Sequence, residues 1–178
     1  MNLTIKGFAI LCWAGASLAA FSFSQTVSIT VPYPTGFRSW VHVKTGIVGK
    51  DSPKFRNYVG IHHIYANPKA MKGYEMGIFP DGSMIVVDVL EAPETDSITS
   101  EGPRRFIDVM LKDSQKFAKT DGWGFEKFNA DSTTERLLNE ESAARCSACH
   151  ASQKDHVFSD LRKIERRTNG RQPAYFRS

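Results

Sequence analysis

The chain has 178 residues, of which 41% are hydrophobic. This length and composition suit one domain with a real core and give no indication of a second domain. The formal net charge of +4 is too small to indicate nucleic acid as a partner, so we expect none.

The first 24 residues have the pattern of an export signal. Lys6 supplies the positive start, and residues 7–23 form an apolar run with only small polar interruptions. Small residues suited to a signal peptidase place the cleavage between residues 20 and 25. We therefore predict a signal peptide over 1–24 and a periplasmic or secreted domain over 25–178, with no membrane association after cleavage. An uncleaved anchor remains an alternative, because the apolar run is only just short of the roughly 20 residues that a spanning helix needs.

The segments that follow the signal are rich in strand-forming residues. Residues 26–31 alternate polar and apolar side chains and predict a strand or an extended lead-in. Residues 39–48 are apolar, but their periodicity does not separate helix from strand. Residues 59–66 are β-branched and aromatic and predict a strand that Asn67 and Pro68 terminate.

A short helix and a clear strand come next. Asn67 can cap a helix over 68–76 that begins with Pro68 and ends at Gly77. Residues 79–82 predict a turn, because their sequence is Phe-Pro-Asp-Gly. Residues 83–92 predict the clearest strand of the chain.

The second half alternates in the same way before its composition changes. Residues 93–103 predict a loop, residues 104–111 predict a strand, and an aromatic segment with Trp123, Phe125 and Phe128 follows. The helix formers of residues 132–144 predict a helix that leads to a cysteine pair. The apolar spacing of residues 157–167 predicts a surface helix.

The cysteines carry the chemistry of the chain. Of three cysteines, Cys12 lies within the predicted signal, and Cys146 and Cys149 stand three residues apart with His150 directly after them. Two cysteines at this spacing can bind the two vinyl groups of one porphyrin, and the adjacent histidine can then reach the iron. The motif predicts one covalently attached haem c with His150 as the axial metal ligand.

The residues that could close the opposite side of the iron are less clear. Only 28 residues follow His150, and among them only His156 is a histidine or methionine; its closeness in sequence makes it a poor ligand for the far side. A methionine in a strand or short helix is usually core filler. An open sixth position is therefore favoured, although other candidates lie upstream at His42, His62, His63, Met71, Met76, Met84 and Met110.

Six short motifs in a fixed order resemble the cytochrome P460 family, which includes the β-sheet cytochromes c′. They occupy residues 64–68, 77–82, 112–117, 122–125, 146–150 and 155–159. The resemblance implies an α+β fold, with an antiparallel β-sheet and flanking helices, and usually a homodimer. It also implies a five-coordinate haem that binds nitric oxide or related small nitrogen ligands. A four-helix bundle, which can also carry a late attachment site, does not fit the strands of this chain.

The resemblance also assigns roles to four further residues. Family members that oxidise hydroxylamine carry a lysine cross-linked to the porphyrin, and the matching position here is Val87, so we expect no cross-link. A carboxylate that relays protons in those enzymes matches Asp108, for which an outward-facing strand residue is the alternative. Phe79 and Phe55 match aromatic residues that cap the distal side of the haem, and ordinary core packing is the alternative for either.

Three functions follow from these predictions. The first is a haem protein that binds nitric oxide or a related ligand, with or without redox turnover. The second is an enzyme that oxidises hydroxylamine or nitric oxide, in which Asp108 relays protons without a cross-link. The third is a simple electron-transfer cytochrome, which would need a redox protein partner.

Overall fold

The structure, a computed structural model, describes residues 30–53 and 55–162. Its centre is an antiparallel sheet of five strands in the order β1-β2-β3-β6-β7, accompanied by a two-stranded hairpin of β4 and β5. This architecture confirms the predicted α+β fold. In chain order the elements are β1 (Val41–Val48), β2 (Gly60–Ala66), α1 (Pro68–Met76), β3 (Met84–Leu90), β4 (Glu94–Thr95), β5 (Ile98–Thr99), β6 (Arg104–Lys112), β7 (Trp123–Asn129) and α2 (Glu140–His150).

The strands predicted over 59–66, 83–92 and 104–111 are confirmed as β2, β3 and β6. The first helix is also confirmed, and its ends follow from local chemistry. The Asn67 side chain accepts a hydrogen bond of 2.8 Å from the amide of Ala70, which satisfies one of the free donors in the first turn. Gly77 ends the helix in the left-handed conformation, with φ of 77°. The segment 39–48, for which helix and strand were equally open, contains β1.

The helix predicted over 132–144 is wrong in its first half. Residues 132–139 are not helical, because this segment returns along β7 and forms an isolated bridge between Phe128 and Arg136. Helix α2 begins only at Glu140, after a capping box in which Asn139 and Ser142 exchange side-chain and backbone hydrogen bonds. Pairing with a strand edge therefore overrides the helix propensity of the preceding residues.

Two further predictions are corrected. The loop predicted over 93–103 contains the hairpin of β4 and β5. The helix predicted over 157–167 is absent from its described part, residues 157–162, because Val157 and Leu161 pack as extended chain against the core. The signal peptide over 1–24, most of the lead-in over 26–31 and residues 163–167 of that helix lie outside the described residues.

The sheet has two packed faces, because alternate residues of each strand point to opposite sides. The face that we call the N-terminal face packs against residues 31–40, and its buried cluster is Val31, Phe37, Val86, Ile107, Val109 and Phe128. The face that we call the helical face packs against α1 and carries α2 on β7. Its buried cluster is Val43, Ala66, Ala70, Phe79, Ile85, Met110 and Trp123.

No helix within the described ranges is long and apolar enough to cross a membrane. This finding covers α1 and α2 and does not extend to the predicted signal peptide.

Candidate functional site

Helix α2 presents the cysteine pair and the histidine together on the helical face. The capping box fixes its first turn, and Glu140 and Glu141 in that turn suit the positive end of the helix dipole. Both cysteines are free thiols: Cys146 is half-buried and Cys149 is exposed. His150 is the last residue of the helix, so its ring lies where the chain leaves α2.

The ring of His150 is held in one orientation by three neighbours. Its Nδ1 atom donates a hydrogen bond of 2.7 Å to the backbone carbonyl of His156. Phe125 of β7 and Phe158 pack edge-on against it, with ring centroids 5.1 and 4.9 Å away. Within the described part of the chain this is the ring's one hydrogen bond, so Nε2 is left over for a metal.

The electrostatic environment keeps this imidazole neutral. Burial lowers the pKa of His150, and this effect outweighs the hydrogen bond to His156 and the charge of Asp108, which raise it. A neutral imidazole whose Nδ1 donates to a carbonyl is the form in which histidine binds metals.

A row of four directly paired side chains crosses the helical face beside the thiols. Ile64 of β2 pairs with Val87 of β3, Val87 pairs with Asp108 of β6, and Asp108 pairs with Lys127 of β7. Residues that pair directly across antiparallel strands share one face of the sheet. Val87 and Asp108, both selected from the sequence, therefore lie side by side.

Asp108 is paired rather than isolated. Its carboxylate lies 2.8 Å from the ammonium of Lys127, and the two side chains are 23% and 15% exposed. Burial raises the pKa of Asp108, and the charge of Lys127 and an interaction with Tyr58 only partly oppose this rise. The pKa of the Cys146 thiol is also raised, mainly by burial and then by Asp108, which places the carboxylate within electrostatic reach of the thiol.

Sequence reasoning missed Lys127 and Tyr58 and did not place His62 in this group. The Lys127 ammonium lies 3.4 Å from the ring centre of Phe106 and 4.5 Å from that of Tyr58, close enough for cation–π contacts. The Nε2 atom of His62 hydrogen-bonds the Tyr58 carbonyl. The sequence did hold a sign of where Lys127 lies. Alternate residues of a strand share a face, so Lys127 is expected on the same face as Phe125.

The two phenylalanines named from the sequence lie in different surroundings. Phe79 is 6% exposed and packs edge-on against Tyr74 and Trp123, beneath α1. Phe55 is 42% exposed, and its ring lies 6.5 Å from that of Tyr58, near the Asp108 group. Their roles as distal caps stay predictions.

His156, the one histidine after the motif, is buried at 7% exposure. It lies in a one-turn 3₁₀ helix (Lys154–His156), and its Nε2 atom is 3.5 Å from a carboxylate oxygen of Asp121. Its backbone carbonyl, rather than its ring, is the group that contacts His150.

The sequence model of one protein family, described as cytochrome P460, matches residues 34–159, which is most of the chain. The chain belongs to the cytochrome P460 family. No curated protein matches it. Family membership implies a haem cofactor, and the described residues of this cytochrome fit one. Two free thiols on the last turns of α2 stand beside a neutral imidazole whose Nε2 is left over. A haem c requires two such cysteines to bond its vinyl groups and such a histidine to bind its iron.

Proposed function

We propose that this cytochrome carries one haem c, with Cys146 and Cys149 as the thioether ligands of the porphyrin and His150 as the proximal ligand of the iron. The observation that carries the proposal is the hydrogen bond from His150 Nδ1 to the carbonyl of His156, on a helix that presents both thiols. This bond fixes the tautomer in which Nε2 is the free donor atom. The iron, when bound, supplies ligand binding and electron transfer.

We further propose that the sixth position of the iron is open and binds nitric oxide or a related small nitrogen ligand. The row of four paired side chains on the helical face supports this, because none of the four offers an obvious ligand. Ile64 and Val87 are apolar, and Asp108 is already paired with Lys127. His62 donates its Nε2 hydrogen to the Tyr58 carbonyl and keeps Nδ1 as a possible ligand, so it is the candidate that a low-spin spectrum would point to. The apolar side chains of Ile64 and Val87 favour a neutral diatomic gas over an anion on their part of this face.

The experiment begins with the full-length protein expressed in a host that attaches haem c, followed by mass spectrometry and optical spectroscopy. We expect the added mass of one haem and a high-spin ferric spectrum that shifts on addition of nitric oxide. The double variant Cys146→Ala/Cys149→Ala should lose covalent haem, whereas Ser147→Ala between them should retain it. An absence of haem mass from the wild type would overturn the proposal, and a low-spin spectrum indifferent to gases would favour an electron carrier.

A second candidate function is oxidation of hydroxylamine or nitric oxide, with Asp108 as the proton relay. The raised pKa of Asp108 and its place on the helical face favour it, because a general base works best when its pKa approaches the working pH. If Asp108 relays protons, Asp108→Asn should slow hydroxylamine turnover with a soluble electron acceptor by about 100-fold or more. Asp96→Asn, on the exposed hairpin turn, is the control. Equal rates in wild type and Asp108→Asn would remove the relay.

We also propose that the protein is exported and forms a homodimer. The apolar run of residues 7–23 supports export. The edge strand β1, with Val41 and Ile47 exposed at 47% and 64%, offers a surface that a second copy could cover. Sequencing the N-terminus of the mature protein tests the first proposal, and light scattering in solution tests the second.

A further inference from the structure

The segment that follows α2 has an unusual backbone. Asp155 and His156 are consecutive non-glycine residues with positive φ angles of 44° and 61°. L-residues rarely adopt this region. Among the described residues the other such pair, Asp96 and Ser97, lies in the turn of a hairpin, whereas the pair after α2 needs surrounding contacts to hold it. Those contacts should therefore be found on Asp155 or His156 themselves.

The carboxylate of Asp155 makes these contacts with three separate parts of the chain. One oxygen accepts a hydrogen bond of 2.6 Å from the backbone amide of Phe79, just before β3. The other accepts bonds of 2.8 Å from the ammonium of Lys112 on β6 and 3.1 Å from the indole of Trp123 on β7. Burial alone would raise the pKa of Asp155, but these three donors outweigh it and lower the pKa.

The donors are themselves fixed in place. Lys112 also donates to the carbonyl of Asp121 at 3.0 Å and lies over the ring of Trp123. Trp123 is fully buried in the core of the helical face. The carboxylate therefore joins the segment after α2 to two strands of the sheet and to the turn between α1 and β3.

A second contact holds the far end of the same segment. The hydroxyl groups of Tyr74 on α1 and Ser159 lie 2.6 Å apart, and burial raises the pKa of Tyr74 to about 12. The carbonyl of His156 lies between this contact and the Asp155 carboxylate, and it is the acceptor for His150 Nδ1. Sheet, helix α1 and axial histidine are thus connected through three residues of the segment, Asp155, His156 and Ser159.

We propose that Asp155 is a positioning residue for the axial ligand: by fixing the His156 carbonyl against Nδ1, it sets the orientation of the His150 imidazole and its strength as an iron donor. This inference rests on the proposed haem ligation by His150. A strong hydrogen bond from Nδ1 to a fixed carbonyl increases the electron density that the imidazole donates, which stabilises ferric over ferrous iron. A purely structural Asp155 would affect unfolding but would leave the iron–histidine bond unchanged.

The sharpest variant is Asp155→Asn in the haem-loaded full chain. Asparagine tolerates the left-handed backbone, so the main chain can be kept. Its amide group, however, must direct NH₂ either at the Phe79 amide or at Lys112 and Trp123, all of which are donors. Asp160→Asn is the matched control, because Asp160 is exposed in the same segment.

The readouts are the iron–histidine stretching band of the ferrous protein by resonance Raman and the midpoint potential of the haem. Asp155→Asn should shift the band to lower frequency and the potential to a more positive value, and Asp160→Asn should change neither. If Asp155→Asn does not accumulate as folded protein, Lys112→Met decides with the same readouts. It keeps the Phe79 and Trp123 bonds and should give a smaller shift in the same directions.

The possible outcomes separate this inference from the proposed function. A haem-loaded Asp155→Asn protein with the band and potential of the wild type would overturn the positioning role and leave the haem ligation intact. When Lys112→Met is the deciding variant, a haem-loaded protein with the band and potential of the wild type would likewise overturn the positioning role of Asp155. Absence of haem, or a ligand other than His150, in the wild type would overturn the proposed function and this inference with it.

Discussion

Two aspartates on neighbouring strands of the same sheet have opposite surroundings. Asp88 of β3 lies on the N-terminal face and is fully buried, and Arg38 and Arg104 contact its carboxylate oxygens at 2.6 to 2.8 Å. Asp108 of β6 lies on the helical face, is 23% exposed and is paired with Lys127. Both are carboxylates in strands, but one is enclosed by two guanidinium groups and the other faces the cysteine pair with one cation.

The difference separates a structural carboxylate from a candidate functional one. Two guanidinium groups bind both oxygens of Asp88, and the carboxylate is fully buried, so it does not face a ligand. Asp108 has a flexible lysine partner and a raised pKa, so its protonation state can change at a smaller cost. The helical face therefore carries the candidate site in addition to its core cluster, whereas the buried carboxylate of the N-terminal face serves the fold.

The largest effect on stability is expected from removing the carboxylate of Asp88, which binds Arg38 and Arg104. Asp88→Ala removes the buried anion that Arg38 and Arg104 share. Because Arg38 is 45% exposed and Arg104 also pairs with Asp131, we expect the free energy of unfolding to fall by about 3 kcal/mol. Urea unfolding measures the loss, and Glu94→Ala on the exposed hairpin is the control. A loss of less than about 1 kcal/mol would show that Glu101 and Asp131, the other partners of the two guanidinium groups, can replace Asp88.

An intermediate effect is expected from Lys127→Met, which leaves Asp108 alone on the helical face. The partial exposure of both groups reduces the expected loss to about 2 kcal/mol at neutral pH. Urea unfolding of the two single variants and of Asp108→Asn/Lys127→Met tests the pairing, because the double variant should lose less than the sum of the single losses. Simple additivity would contradict it.

The loss in Lys127→Met should depend on pH. Burial already raises the folded-state pKa of Asp108, and removing Lys127 raises it further. A carboxyl with a raised folded-state pKa favours the folded state at low pH, and this contribution is lost as the pH rises. The difference from wild type should therefore be smallest near pH ~4 and grow towards neutral pH. A difference that instead shrinks as the pH rises would contradict the pairing.

The smallest effect is expected from Tyr58→Phe. This change keeps the ring beneath Lys127 and removes the hydroxyl that helps to stabilise the Asp108 carboxylate. We expect a loss of about 0.5–1 kcal/mol and a further rise in the pKa of Asp108, measured by NMR titration of its carboxyl carbon. The control is Tyr33→Phe on the N-terminal face, which should leave that pKa unchanged. An unchanged pKa in Tyr58→Phe would remove the hydroxyl from the group.

Local chemistry allowed several elements to be predicted from the sequence. Asn67, Pro68 and Gly77 define helix α1, because each acts on the backbone next to it. The β-branched residues of β2 and β3 predicted strands in the same way, because such residues favour the extended backbone. The spacing of Cys146, Cys149 and His150 predicts haem attachment from local sequence alone, because all three lie within about one and a half helical turns.

The tertiary structure decided where those elements meet, because contacts between distant segments leave no local pattern. The residues before Asn139 have helix-forming side chains, but they pair with β7. The residues after His156 have apolar side chains at helical spacing, but they pack on the core without forming a helix. Period 2 places Asp108 and Lys127 on one face of their own strands, but only the register of β6 and β7 sets them opposite each other. The Asp155 carboxylate shows the same limit: its three donors come from residues 32 to 76 positions away, brought together by the folded sheet.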